Sequence, residues 1–153
     1  MKLIFTETLP LEELDSLVQK IKEHCPQGGV FGLSGELGSG KTTLVRSMIK
    51  DIASRQKIKI DRVISPSFVL HQSYEILNPP VHHFDLYRLD NVTEMMLIEL
   101  EYYEIVEKVR ASQGFLFLEW PEMSVDKSIL KLTAEIKITI TGSSRQYSLF
   151  VKD

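Results

Sequence analysis

Gly35-Glu36-Leu37-Gly38-Ser39-Gly40-Lys41-Thr42 matches the G-x-x-x-x-G-K-[ST] pattern of a phosphate-binding loop at every fixed position. The chemistry of such a loop is legible residue by residue. Its glycines permit a tight turn whose successive backbone N–H groups point inward at anionic oxygens. Lys41 has the reach and charge for the β- and γ-phosphates of a nucleotide, and the Thr42 hydroxyl is a ligand for Mg²⁺. The flanks agree with this reading. Val30-Phe31-Gly32-Leu33 is a short apolar run that predicts a buried strand, and Leu44, Val45, Met48, Ile49 and Ile52 recur at helical spacing. The loop therefore opens a helix, whose N-terminus adds its positive end toward the phosphates.

Phosphate binding needs only that loop, whereas hydrolysis needs carboxylates that anchor the waters of Mg²⁺ or orient the attacking one. Two acidic residues stand at the ends of apolar strands. Glu119 follows Phe115-Leu116-Phe117-Leu118 directly, and Asp85 follows Phe84. Ligands of open α/β sheets bind at that carboxyl edge, although a strand-end carboxylate is also a common solvated group. His83 shares a strand face with Asp85 and reads as a hydrogen-bonding partner that orients Asp85 or a loop. A two-residue His-x-Asp pair is a poor transition-metal site, and His82 on the other face reads as surface or packing. Arg88 could stabilise charge on a transferring phosphate, but a structural ion pair with Asp85 or Glu119 is the commoner use of such a residue. Tyr87 and Trp120 are core aromatics or else a contact or switch element beside the nucleotide. Cys25, His24 and His71 form no constellation.

The elements that must position these groups can be read along the chain. Its 153 residues suit one domain, residues 1–153, with 43% hydrophobic and 25% charged content. A net charge of −3 argues against a broad nucleic-acid-coating surface, and a single cysteine excludes an intrachain disulfide. No apolar run approaches the ~20 residues that span a bilayer, and the first residues do not form a signal sequence, so a cytoplasmic protein without membrane contact is expected. Residues 2–6 predict a strand, followed by an amphipathic helix on Leu11, Leu14, Leu17, Val18 and Ile21, with Thr8 as its cap and Pro10 in its first turn. Arg55, Lys57, Lys59 and Arg62 mark an exposed basic loop. Val63-Ile64 and residues 68–74 read as extended around Ser65-Pro66, and a turn at Asn78-Pro79-Pro80 returns the chain into a strand at 81–86. Residues 93–111 predict one helix. The alternation of Leu132, Ala134, Ile136, Ile138 and Ile140 predicts a strand that Gly142 turns into a second at 147–151. The sum is an α/β fold: helices packed on a mixed parallel and antiparallel central sheet with a C-terminal hairpin.

Four motifs in this order, Gly35 to Thr43, Ser65-Pro66-Ser67-Phe68, His83-Phe84-Asp85-Leu86-Tyr87-Arg88 and Glu119-Trp120-Pro121-Glu122, resemble the TsaE (YjeE) family over residues 1 to about 145. This is a family of small bacterial P-loop ATPases in the machinery that makes threonylcarbamoyladenosine in tRNA. The P-loop is shared by many NTPases; the His-x-Asp-x-Tyr-Arg and Glu-Trp elements make the resemblance specific. It implies that Gly35, Glu36, Leu37, Gly38, Ser39, Gly40, Lys41, Thr42 and Thr43 bind ATP or ADP, with Mg²⁺ at Thr42 and with Asp85 and Glu119 at the metal or the attacking water. It implies a switch-like role for the loop of Ser65 and Ser67, where the family typically has Thr at the second position and the hydroxyl survives; Trp120 reads as switch-like from its own place directly after Glu119. It further implies slow intrinsic hydrolysis and action on the TsaB–TsaD pair, while contact with the tRNA itself, indirect or otherwise, is left open.

Other functions fit the loop too. A small-molecule or nucleoside kinase has the same length and P-loop but should carry an arginine-rich lid, and no Arg-x-x-x-Arg pattern is present. A nucleotide switch that barely hydrolyses fits less well with two strand-end carboxylates. No Asn-Lys-x-Asp guanine-reading motif occurs; that and the resemblance favour adenine, with Phe5-Thr6-Glu7 implied to lie against the base.

Overall fold

The computed structural model describes residues 1–60 and 70–153. Among these residues the strands form one seven-stranded sheet in the order β1-β7-β6-β2-β5-β4-β3. The strands are β1 (Lys2–Pro10), β2 (Gly29–Ser34), β3 (His71–Tyr74), β4 (Val81–Asp85), β5 (Phe115–Glu119), β6 (Ala134–Thr141) and β7 (Ser144–Val151). The helices are α1 (Asp15–His24), α2 (Lys41–Arg55), α3 (Glu94–Glu99) and α4 (Tyr102–Ser112). β6, β2, β5 and β4 run parallel at the centre, while β3 and the β7-β1 pair add antiparallel edges.

The apolar runs of β2 and β5 are continuous because both faces are covered. Phe31, Leu33 and Phe117 join the core under α1 and α2, with Leu17, Ile21, Leu44 and Met48. Their neighbours Val30, Leu116 and Leu118 point the other way, into a second core with Leu97, Tyr102, Val106 and Val109 of α3 and α4. The β6-β7 hairpin keeps one wet face: Lys137, Thr139 and Thr141 are exposed while Ala134, Ile136 and Ile138 are buried. The β3-β4 pairing agrees with the expected hairpin, in the register His71 opposite Phe84 and Tyr74 opposite Val81. The part expected at 63–69, with Ser65 and Ser67, lies outside the described residues.

Two expected boundaries are corrected. The first strand does not stop at residue 6; it pairs with β7 from Lys2 opposite Val151 to Pro10 opposite Ser144. Thr8 and Pro10 therefore belong to the strand, and α1 begins at Asp15. Pro10 ends an edge strand, where a missing N–H is tolerated, and pairing with β7 outweighs the local helix-start signal. The helix expected over 93–111 is broken between α3 and α4, at Glu101 with φ 59°. Leu97 and Tyr102 both enter the second core, yet five residues of straight helix would set them about 140° apart. The break brings both inward.

Candidate functional site

β2 delivers the chain to Gly35, and α2 departs at Lys41. The loop between them needs its glycines. A Cβ on Gly35 would lie 2.6 Å from the Ile138 carbonyl oxygen and 2.6 Å from Ser39 Oγ, so β6 leaves room for backbone alone. Gly40 caps α2 with φ 106°, a conformation side chains rarely adopt. Glu36, Leu37 and Gly38 form the exposed crown of the loop, while Ser39 and Lys41 are buried. Thr42 and Thr43 stand half-buried in the first turn of α2, beside the helix N-terminus.

The loop borders a cleft of about 460 Å³ that Thr42, Thr43, Asp85, Arg88, Glu119 and Trp120 also line. Strand register brings the acids there. Leu33 lies opposite Glu119 across β2-β5, and Asp85 lies opposite Glu119 across β4-β5. Both carboxylates are buried at the carboxyl edge of the parallel strands. The Thr42 hydroxyl donates to Glu119, 2.9 Å from Oε1 and 3.1 Å from Oε2. Asp85 Oδ1 accepts the Tyr87 N–H at 2.9 Å, which folds the chain back at the strand end. His83 was expected to orient Asp85 or a loop; its Nε2 instead lies 2.6 Å from Glu119 Oε2, the acid of the neighbouring strand.

Lys41 Nζ donates to the carbonyl oxygens of Gly35 at 2.5 Å and Glu36 at 3.1 Å, and sits 3.9 Å from the centre of the Trp120 ring. Burial pulls its pKa below the ordinary lysine value, against the carboxylates of Glu119, Glu122, Asp85 and Glu36, which favour the ammonium. Trp120 adopts φ 64° and packs 4.9 Å from the Tyr87 ring. Both aromatics therefore belong to the cleft wall rather than to the core alone.

The residues fit a magnesium–nucleotide group. Ser39 Oγ is buried in the loop with no hydrogen-bond partner among the described residues. Thr42 and the nearby carboxylates are hard oxygen donors, of the kind Mg²⁺ takes one or two at a time alongside phosphate and water. Among the described residues no three His, Cys, Asp or Glu side chains converge on a metal position, so a dedicated all-protein cage is not built.

Sequence reasoning missed one contact set. Arg145 of β7 donates from Nε to the Ser39 carbonyl at 3.0 Å and from Nη2 to the Gly38 carbonyl at 3.4 Å, tying down the outer side of the loop. No local signal marks it, because the partners are 106 residues apart. His71, which offered no constellation, hydrogen-bonds His82 at 3.0 Å on the β3-β4 hairpin, away from the cleft. Burial, and then the neighbouring His82, push His71 down to about 4.

A P-loop motif between a central parallel strand and a helix, with its threonine bonded to a strand-end carboxylate, defines an α/β protein of P-loop architecture. The profile of the family described as threonylcarbamoyl adenosine biosynthesis protein TsaE matches residues 9–148, and the chain belongs to that family. Among curated relatives, the Haemophilus influenzae tRNA threonylcarbamoyladenosine biosynthesis protein TsaE is 31% identical over 102 residues, 67% of this chain and 58% of that one. The protein of the same name from a Nostoc species is 37% identical over 95 residues, 62% of this chain and 54% of that one. These matches thus span little more than half the length of those relatives. The crystal structure of Bacillus subtilis YdiB superposes with a TM-score of 0.59 at 19% identity, covering 99% of this chain and 88% of that one, a likeness of fold. Among the described residues no helix is long and apolar enough to cross a membrane.

Proposed function

We propose that this chain, acting as a single domain in the cytoplasm, binds ATP with Mg²⁺ and hydrolyses it slowly to ADP and phosphate. That turnover drives or resets a TsaB–TsaD complex during tRNA threonylcarbamoyladenosine modification. The observation that carries the reading is the bond from Thr42 to Glu119, which joins the phosphate loop to a strand-end acid in one cleft. Family membership supports the pathway and the partners.

In this reading Gly38 to Thr43 supply inward N–H groups for the phosphates, and Lys41 leaves the Gly35 and Glu36 carbonyls to neutralise β- and γ-oxygens. Thr42 would hold the metal, with Glu119 and Asp85 anchoring its waters and orienting the attacking one. Bound Mg²⁺ supplies charge neutralisation at the transferring phosphoryl group. The half-buried stretch of β1 near Phe5 and Glu7 and the adenine base form a further pairing within the same proposal.

ATP hydrolysis by the purified chain, alone and with TsaB and TsaD from the same organism, tests the reading, with Lys41→Ala as the blank. Expected is slow, Lys41-dependent turnover that rises when the pair is added. Turnover indifferent to the pair but stimulated by a small alcohol or nucleoside acceptor, with a phosphorylated product, would make the chain a kinase.

A further inference from the structure

We infer that His83 is the positioning residue for Glu119, fixing the carboxylate in the orientation that receives Thr42. The inference rests on the reading of this cleft as a magnesium–nucleotide site and adds to it a residue that neither touches phosphate nor ligates metal.

Three observations carry it. His83 is fully buried, and its Nε2 stands 2.6 Å from Glu119 Oε2, so the imidazole donates that N–H to the carboxylate. Glu119 is itself only 2% exposed, and among the described residues its carboxylate is otherwise bonded by the single hydroxyl of Thr42. A buried carboxylate bonded by one rotatable hydroxyl can still turn about its terminal torsion; a second donor from another element removes that freedom. The register supplies this second donor. His83 lies opposite Phe117 while Asp85 lies opposite Glu119, so the imidazole sits one step back along β4 and reaches the carboxylate from the sheet, whereas Thr42 reaches it from α2. Packing alone does not account for the ring. His83 Nδ1 has no hydrogen-bond partner among the described residues, and an apolar side chain would fill the position without burying that nitrogen. What the imidazole contributes that an apolar group does not is the donor to Glu119. Outer partners of this kind orient the groups that meet a metal, and removing them costs about 10- to 100-fold in metal affinity or activity.

The test compares His83→Gln, whose amide reaches the place of Nε2, with His83→Asn, which keeps a polar amide but withdraws it, and with His83→Met, which removes the donor at similar volume. Calorimetry gives the ADP affinity with Mg²⁺ and with a chelator, alongside kcat for ATP and a thermal melt. Expected for Asn and Met is loss of about 10-fold or more of the magnesium-dependent gain in affinity and about 10- to 100-fold of kcat. Affinity in chelator should stay unchanged, and His83→Gln should recover most of both losses. Wild-type values in His83→Asn would overturn the inference. So would equal losses in Gln and Asn that follow a lowered melting temperature, since these would assign the ring to packing. If the unaltered chain bound no nucleotide, or bound it without regard to Mg²⁺, the reading of the cleft would fall first and the inference with it. A magnesium-dependent wild type with indifferent His83 variants defeats the inference alone.

Discussion

Lys41 carries a charge into a place that resists it. Its ammonium is buried, bonded to two loop carbonyls and set 3.9 Å from the Trp120 ring centre, a cation–π contact worth about 0.5–2 kcal/mol. Nucleotide phosphates would offer it a full counter-charge, so binding should draw Nζ off the ring. Trp120 is the only tryptophan, which makes intrinsic fluorescence a direct reporter. ADP titration is expected to change the emission saturably, and Lys41→Met without nucleotide should already show a spectrum displaced in the same direction. Calorimetric binding with no emission change would separate the ring from the lysine. At this scale much of the site was legible. Lys41 and Thr42 lie in a contiguous motif, and Asp85 and Glu119 are named by their places at apolar strand ends. The bonds between them were not, because His83 and Glu119 are 36 residues apart and meet only through the pairing of β4 with β5.

Elements were legible wherever local pattern and tertiary pairing agree. β2, α2, β5 and the β6-β7 hairpin fall where periodicity puts them. At Pro10 the two disagree, and the β1-β7 ladder prevails; at Glu101 a helical pattern is broken so that Leu97 and Tyr102 share one core. The same hairpin that captures β1 also grips the phosphate loop. Arg145 donates to the Gly38 and Ser39 carbonyls and so fixes the outer side of the loop, whose turn is closed from within by the Ser39 N–H on the Glu36 carbonyl at 3.0 Å. Arg145→Ala should therefore weaken ADP binding about 10-fold, the loss of roughly 1.4 kcal/mol from charge-assisted hydrogen bonds, while kcat at saturating ATP changes little. Calorimetry with steady-state kinetics separates the two. A fall in kcat at unchanged affinity would place Arg145 in the reaction rather than in the shaping of the loop.

The molecule as a whole divides its labour across the sheet. The cleft lies at the carboxyl ends of β2, β4 and β5, with α2 and its threonines on the face that also holds α1. The opposite face is built by α3 and α4, where Tyr102 is fully buried and its hydroxyl donates to the Leu130 carbonyl at 2.5 Å. Burial raises the pKa of that hydroxyl well above the usual tyrosine value, so it remains a donor at any working pH. Tyr102→Phe keeps the ring and its edge contact with Phe84 but leaves the Leu130 carbonyl without this donor. The cost should be about 1–2 kcal/mol, a fall of roughly 2–8 °C in melting temperature for a chain of this size. ADP affinity should stay within about twofold, because among the described residues none of the cleft's bonds passes through that hydroxyl. The partly buried Trp120 and Met123 pack against the same core, which gives the experiment its edge. If affinity fell in step with stability, the α3-α4 core would be setting the position of Trp120, and with it the lysine. The two faces of the sheet would then act as one unit.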